Sequence, residues 1–161
     1  MPLIKNPVLD YLSHLLANFS SMLIIIIILI SFFLLNKKKR EWALPLGLGI
    51  ISSYVITYVL KFIVARPRPL GITMNFLFHL LDYSFPSAHT AVAFAALPVL
   101  NKTYPKLKWL WILSASFVAF SRIYIQVHYL SDVVVGSLIG YLTGLFIIKL
   151  KERKWKLTGS R

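Results

Sequence analysis

Three short stretches of the 161-residue chain concentrate side chains suited to acid–base and anion chemistry. They are Lys61 to Arg68-Pro69, Pro86-Ser87-Ala88-His89, and Ser121-Arg122 through His128 to Asp132. His128 and Asp132 stand four residues apart, a spacing that on a helix puts both on one face. A carboxylate placed there can hold one ring nitrogen, fix the tautomer and leave the other nitrogen free as a nucleophile. An isolated pair of this kind is more often a surface ion pair, but here Val133-Val134-Val135 follow at once. Pro86 at a helix start, with unpaired backbone N–H groups just after it, makes an anion-binding end. The Ser87 hydroxyl adds a donor, and His89 can protonate a leaving oxygen and later activate water. Lys61, Arg68 and Arg122 offer a point charge and two guanidinium forks to non-bridging oxygens. Such contacts stabilise a phosphoryl transition state by electrostatics and positioning. Lys61 and Arg68, taken singly, also fit snorkelling at an interface.

These residues need elements to hold them, and the elements are apolar. The hydrophobic fraction is 58% and the mean hydropathy +0.73, too high for an ordinary soluble domain. Five apolar runs predict an all-α, integral-membrane bundle of about five spans, at residues 17–35, 42–62, 86–100, 109–124 and 133–150. The third and fourth fall short of the ~20 residues of a full crossing, so their outer ends are expected to continue as helix into the motifs. The length fits a single domain over 1–161, with a motif region at 61–132 and a tail at 151–161.

The net charge of +13 is not spread evenly. Lys37 to Arg40, then Lys102, Lys106 and Lys108, then the cluster from Lys149 to Arg161 hold thirteen of the eighteen basic residues. They fall at alternate ends of successive spans, and Trp42, Trp109, Trp111 and Trp155 adjoin them as interfacial anchors. This pattern predicts an extracytoplasmic N-terminus, a cytoplasmic C-terminus, and a small outer group of Lys5, Lys61, Arg66, Arg68 and Arg122 that needs an anionic partner. Nucleic acid does not fit, because no basic-aromatic groove accompanies the charge. The first basic cluster follows the first apolar run, the reverse of a secretory signal. There is no cysteine, which excludes disulfides and thiolate metal sites.

Residues 2–16 read equally well as an amphipathic interfacial segment or as an extension of the first span. The 66–85 connection, broken by Pro67, Pro69 and Gly71, reads as a partly ordered outer lid. In it His79 and Asp82 are candidates for contact with a polar substrate head. Arg66 is a further candidate for such contact, with a merely interfacial placement the plainer reading. Gly136, Gly140 and Gly144 mark a face of the last span suited to close approach by another span of the same chain.

Taken together, Lys-x6-Arg-Pro (Lys61 to Pro69), Pro-Ser-Ala-His (Pro86 to His89) and Ser-Arg-x5-His-x3-Asp (Ser121 to Asp132) resemble the type 2 phosphatidic acid phosphatase superfamily. The motif region covers just under half of the chain. The resemblance implies hydrolysis of a membrane lipid phosphate through a phosphohistidine, with neither metal nor cofactor. On it, His128 attacks phosphorus, Asp132 orients His128, and His89 protonates the departing oxygen. Lys61, Arg68, Ser87, the Ala88 backbone and Arg122 hold the phosphate. Ala88 stands where the family often has glycine, and an ordinary helical or extended backbone is expected there, since positive φ would cost roughly 1–2 kcal/mol. Many members have six spans, against five here plus the N-terminal segment.

The expected setting is a prokaryotic inner or plasma membrane, with the site facing outward. Phosphatidylglycerophosphate, undecaprenyl pyrophosphate, a lipid A 1-phosphate and phosphatidic acid are all compatible substrates. Transfer of phosphate to a second lipid is the enzymatic alternative, and an anionic-lipid-binding scaffold the non-enzymatic one. Nothing in the sequence specifies an oligomeric state.

Overall fold

A computed structural model describes residues 6–17, 19–69 and 83–158, and His79 and Asp82 lie outside them. The described residues form six α-helices: α1 (Pro7–Ala17), α2 (Phe19–Leu35), α3 (Ala43–Val64), α4 (Ala88–Thr103), α5 (Lys108–Tyr124) and α6 (Leu130–Thr158). The N-terminal segment is thus a helix separate from the first expected span. Helices α2 to α6 coincide with the five apolar runs. Two stretches, Arg40–Val64 and Leu130–Arg153, are long and apolar enough to cross a membrane, at 25 and 24 residues. Helices α2, α4 and α5 have 17, 16 and 17 residues. The outward faces expose Ile24, Ile63, Leu113 and Leu142 over more than half of their surface, an exterior suited to hydrocarbon.

The two ends of the bundle differ in charge chemistry. At one end Lys39 donates to the Thr103 carbonyl, Lys102 pairs with Glu152, and Lys151 lies 3.1 Å from Glu41 and 3.6 Å from the Trp42 ring centre. The basic clusters expected to share one face of the membrane are therefore gathered together. Helix α3 rises from that end and carries Lys61 eighteen residues above Ala43, about 27 Å away. It stops where Ala65 turns left-handed (φ 47°) and its N–H donates to the Lys61 carbonyl, with Pro67 just beyond.

Helix α6 lies against α4 with almost nothing between the backbones. A Cβ added to Gly136, Gly140 or Gly144 would stand 2.6, 2.0 or 2.3 Å from the carbonyl oxygen of Ser87, Ala91 or Ala95 respectively. Each partner advances by four residues, so the glycine face fits one turn of α4 after another. This is the intrachain packing expected of the glycine spacing. Gly49 brings α3 to the same seam, where an added Cβ would meet Ala95 and Gly144 at 3.6 Å.

Candidate active site

The glycine seam fixes the level at which the first turns of α4 and α6 meet. The Ser87 N–H donates to the Asp132 carbonyl at 3.0 Å, joining the second motif to the third. Pro86 is not the first helical residue, as the sequence suggested. It precedes Ser87, which caps a helix that begins at Ala88. Because Ala91 is the first residue whose N–H returns to the Ser87 carbonyl, the Ala88 and His89 N–H groups have no partner within their own helix. Ala88 takes ordinary helical geometry, as expected; Ala65 and Gln126 are the non-glycine residues at positive φ among those described. The Ser87 hydroxyl accepts a 3.0 Å bond from Thr90, which leaves its own hydrogen for another acceptor.

His128 and Asp132 do meet, but not as an i,i+4 pair along a helix. His128 occupies the turn before α6, and Asp132 is the third residue of that helix. Asp132 Oδ2 accepts the Tyr129 N–H at 2.9 Å, the reach-back half of a capping box, and lies 3.4 Å from His128 Nδ1. With Nδ1 protonated toward that carboxylate, Nε2 carries the lone pair. Nε2 faces the Arg68 guanidinium at 3.5 Å, and Arg68 is itself held by the Val127 carbonyl at 2.9 Å. Burial lowers the His128 pKa to about 4; the Asp132 hydrogen bond opposes the shift, and the charges of Arg68 and Lys61 add to it. The ring is therefore neutral at physiological pH.

The first motif is tied to Tyr83 and Ser84, just ahead of the second, by both side-chain and backbone bonds. Lys61 Nζ donates to the Tyr83 carbonyl at 2.5 Å, the Ser84 N–H donates to the Arg66 carbonyl at 2.8 Å, and the Ser84 hydroxyl donates to the Pro67 carbonyl at 3.0 Å. Arg122 is 1% exposed at the end of α5. Its Nε and Nη2 donate to the Ser121 hydroxyl, and Nη2 reaches the Ser13 carbonyl of α1 at 3.3 Å. Helix α1 is anchored there by a further bond, Tyr124 to Asp10 at 2.8 Å. His89 lies within electrostatic range of Arg122, His128, Arg68 and Lys61. The three motifs are thus gathered at the end of the bundle opposite the paired basic loops. Their chemistry is that of an anion site: three cations, helix N–H groups and a hydroxyl around one carboxylate-oriented imidazole.

Arg66 sits differently from either reading of the sequence. Its Nη1 donates to Asp132 Oδ1 at 2.9 Å and to the Ser131 hydroxyl at 2.7 Å, and its guanidinium lies 3.8 Å from the Tyr129 ring centre. Asp132 is fully buried, with its two oxygens divided between His128 and Arg66. The available signal was the doubled Arg-Pro-Arg-Pro: two forks two residues apart on a proline-stiffened segment face different partners.

The model of the PAP2 superfamily matches residues 42–156. An undecaprenyl-diphosphatase of Sulfolobus acidocaldarius is 32% identical over 117 residues, 66% of this chain and 56% of that protein. Undecaprenyl-diphosphatase BcrC of Bacillus subtilis is 31% identical over 91% of this chain and 77% of its own length. Among solved structures, the transmembrane PAP2-type phosphatidylglycerolphosphate phosphatase of Bacillus subtilis superposes with a TM-score of 0.72 at 25% identity, covering 94% of this chain and 80% of that one. LpxE of Aquifex aeolicus gives 0.71 at 31% identity, covering 90% and 88%. The motifs, the helical fold and these matches agree: the chain belongs to the PAP2 superfamily.

Proposed function

We propose that this protein is an integral-membrane lipid phosphatase that cleaves a phosphate monoester or pyrophosphate through a phosphohistidine on His128. The observation that carries this reading is the arrangement about His128: Asp132 on Nδ1 and Arg68 across from Nε2. Nε2 attacks phosphorus, the bond from phosphorus to the lipid-side oxygen breaks, and that oxygen takes a proton from His89. Water then attacks phosphorus as His89 accepts its proton, the phosphorus–nitrogen bond breaks with its electron pair returning to His128 Nε2, and inorganic phosphate leaves. Lys61, Arg68, Arg122, Ser87 and the Ala88 N–H hold the non-bridging oxygens through both steps. Neither step needs a metal. Helices α2 to α6 cross the bilayer, with the basic loops cytoplasmic and the site outside; the charge segregation between the two ends favours this orientation.

The substrate is a lipid phosphate: undecaprenyl pyrophosphate or phosphatidylglycerophosphate, for which relatives are named, or a lipid A 1-phosphate or phosphatidic acid. The test is release of inorganic phosphate from this panel by purified protein in the presence of EDTA. Release from at least one lipid is expected. Release from none would overturn the reading, and a requirement for added divalent metal would overturn the mechanism. Free phosphate as product also separates hydrolysis from transfer to a second lipid.

Two further outcomes follow from the geometry. Arg66 acts through Asp132 as a positioning residue, so Arg66→Gln lowers kcat by roughly tenfold, the worth of one charge-assisted hydrogen bond, with KM little changed. A rise in KM at constant kcat would instead make Arg66 a headgroup contact. The low His128 pKa keeps the nucleophile neutral until the pH falls to about 4. The acid limb of kcat/KM assigned to His128 is therefore expected near that value, not near 6.5. A His128 imidazole titration near 6.5, followed by NMR on the unaltered protein, would contradict the assignment.

A further inference from the structure

Helix α1 buries one hydroxyl that its own backbone does not use. Ser13 is fully buried, and its Oγ has no hydrogen-bond partner among the described residues. A helical serine or threonine commonly turns its hydroxyl back to the carbonyl three or four residues earlier. Ser53, Ser114, Ser121 and Thr143 all do so, at 2.7 to 2.9 Å. A buried hydroxyl left without a partner is destabilising unless a bound group supplies one. At the motif end of the bundle His89 Nε2 is in the same condition, and the departing oxygen accounts for it. Nothing in the catalytic sequence yet accounts for Ser13.

The surroundings of Ser13 indicate the missing partner. Its carbonyl accepts Arg122 Nη2 at 3.3 Å. Arg122 is almost completely buried, and no carboxylate pairs with it among the described residues. A buried guanidinium without a counter-ion favours an anion beside it. Leu16 stands one turn beyond Ser13 on the same face of α1 and lines a cavity together with His89. The face that carries Ser13 thus borders both Arg122 and the cavity at His89. Val8, Tyr11 and Leu15 form the exposed, apolar face on the other side of α1. The helix is fastened in this attitude by the Tyr124 hydroxyl, which donates to Asp10, one turn before Ser13, at 2.8 Å.

We propose that Ser13 is a phosphate-binding residue, its hydroxyl donating to a non-bridging oxygen of the phosphate that Arg122 holds. The proposal rests on the lipid-phosphatase reading and deepens it, because it adds a ligand from outside the three motifs. One residue then serves the anion twice. The Ser13 carbonyl fixes the guanidinium, and the Ser13 hydroxyl supplies a donor of its own. The N-terminal helix is on this account a wall of the active site and not only an interfacial segment.

The test titrates inorganic phosphate onto the 161-residue chain in detergent, with binding followed by phosphorus NMR. Ser13→Ala removes the hydroxyl and keeps the carbonyl that holds Arg122, so it isolates the donor. The Kd for phosphate is expected to rise about tenfold, the effect of losing one hydrogen bond to a charged group. The melting temperature should stay equal or rise, because alanine is the better helix former and the unpartnered hydroxyl is gone. Unchanged phosphate affinity, whether or not the melting temperature falls, would overturn the proposal. In turnover of hexadecyl phosphate the same variant should lower kcat/KM by about tenfold, and full retention of kcat/KM would also overturn it. Binding of phosphate that Ser13→Ala weakens, in a protein that releases phosphate from no lipid, would leave the Ser13 site standing. That result would count against the phosphatase reading alone.

Discussion

His128→Ala is expected to abolish lipid phosphate hydrolysis, with a fall in kcat on the order of 10⁴-fold or more, because it removes the atom that bonds to phosphorus. The loss should be one of chemistry and not of folding. His128 lies in the turn between α5 and α6, and the Tyr129 N–H continues to cap α6 through Asp132 in its absence. Arg66 also keeps its bond to the same carboxylate. The variant should therefore retain its helical circular dichroism and its thermal transition in detergent, and continue to bind inorganic phosphate through the cations. His128→Asn, which restores a polar group without a nucleophilic lone pair of comparable basicity, should be equally inactive. Near-normal turnover by either variant, measured as released phosphate, would contradict the role assigned to His128.

Gly140→Leu should have the second-largest effect, through a different cause. A Cβ at residue 140 would stand 2.0 Å from the Ala91 carbonyl oxygen, and backbone cannot yield as a flexible side chain does. Helix α6 must move off α4. Overpacking of a close-fitted seam costs typically 1–3 kcal/mol, and here the displacement also breaks the bond from the Ser87 N–H to the Asp132 carbonyl. Both stability and activity are expected to fall, with activity lost first because the second and third motifs are joined through that bond. Gly47→Ala is the matched control. An added Cβ there meets only Ile30 Cδ1, at 4.0 Å, and alanine is the better helix former by about 1 kcal/mol. Its activity should be unchanged and its melting temperature equal or higher. Thermal unfolding of the two variants in the same detergent checks the pair.

Much of this site is legible in the chain because membrane helices constrain which residues can appear in them. A buried cation such as Arg122 at the end of an apolar run demands a partner, and the basic loops demand a common face. The glycines four apart demand a close neighbour, and α4 supplies one carbonyl per turn. What escaped was set by backbone geometry at helix starts. Four-residue spacing identified the His128–Asp132 contact, yet a turn rather than a helix produces it, and Asp132 caps α6 while orienting the imidazole. Arg66 escaped because Lys-x6-Arg-Pro passes over it. Its bond to Asp132 is a tertiary contact made where Ser84 is tied to Arg66 and Pro67. The five apolar runs are helices, and among the described residues two stretches have a full crossing length by themselves, the third and fourth runs being short as the sequence already indicated.

The central claim is the covalent bond between phosphorus and His128. The direct measurement is to mix the protein with phosphorus-labelled lipid phosphate, quench within the turnover time in alkali, and map the labelled peptide. The account predicts label on the peptide containing His128, stable in base and lost in acid. Label on Ser87 as an acid-stable ester, or turnover with no labelled protein at any quench time, would contradict it.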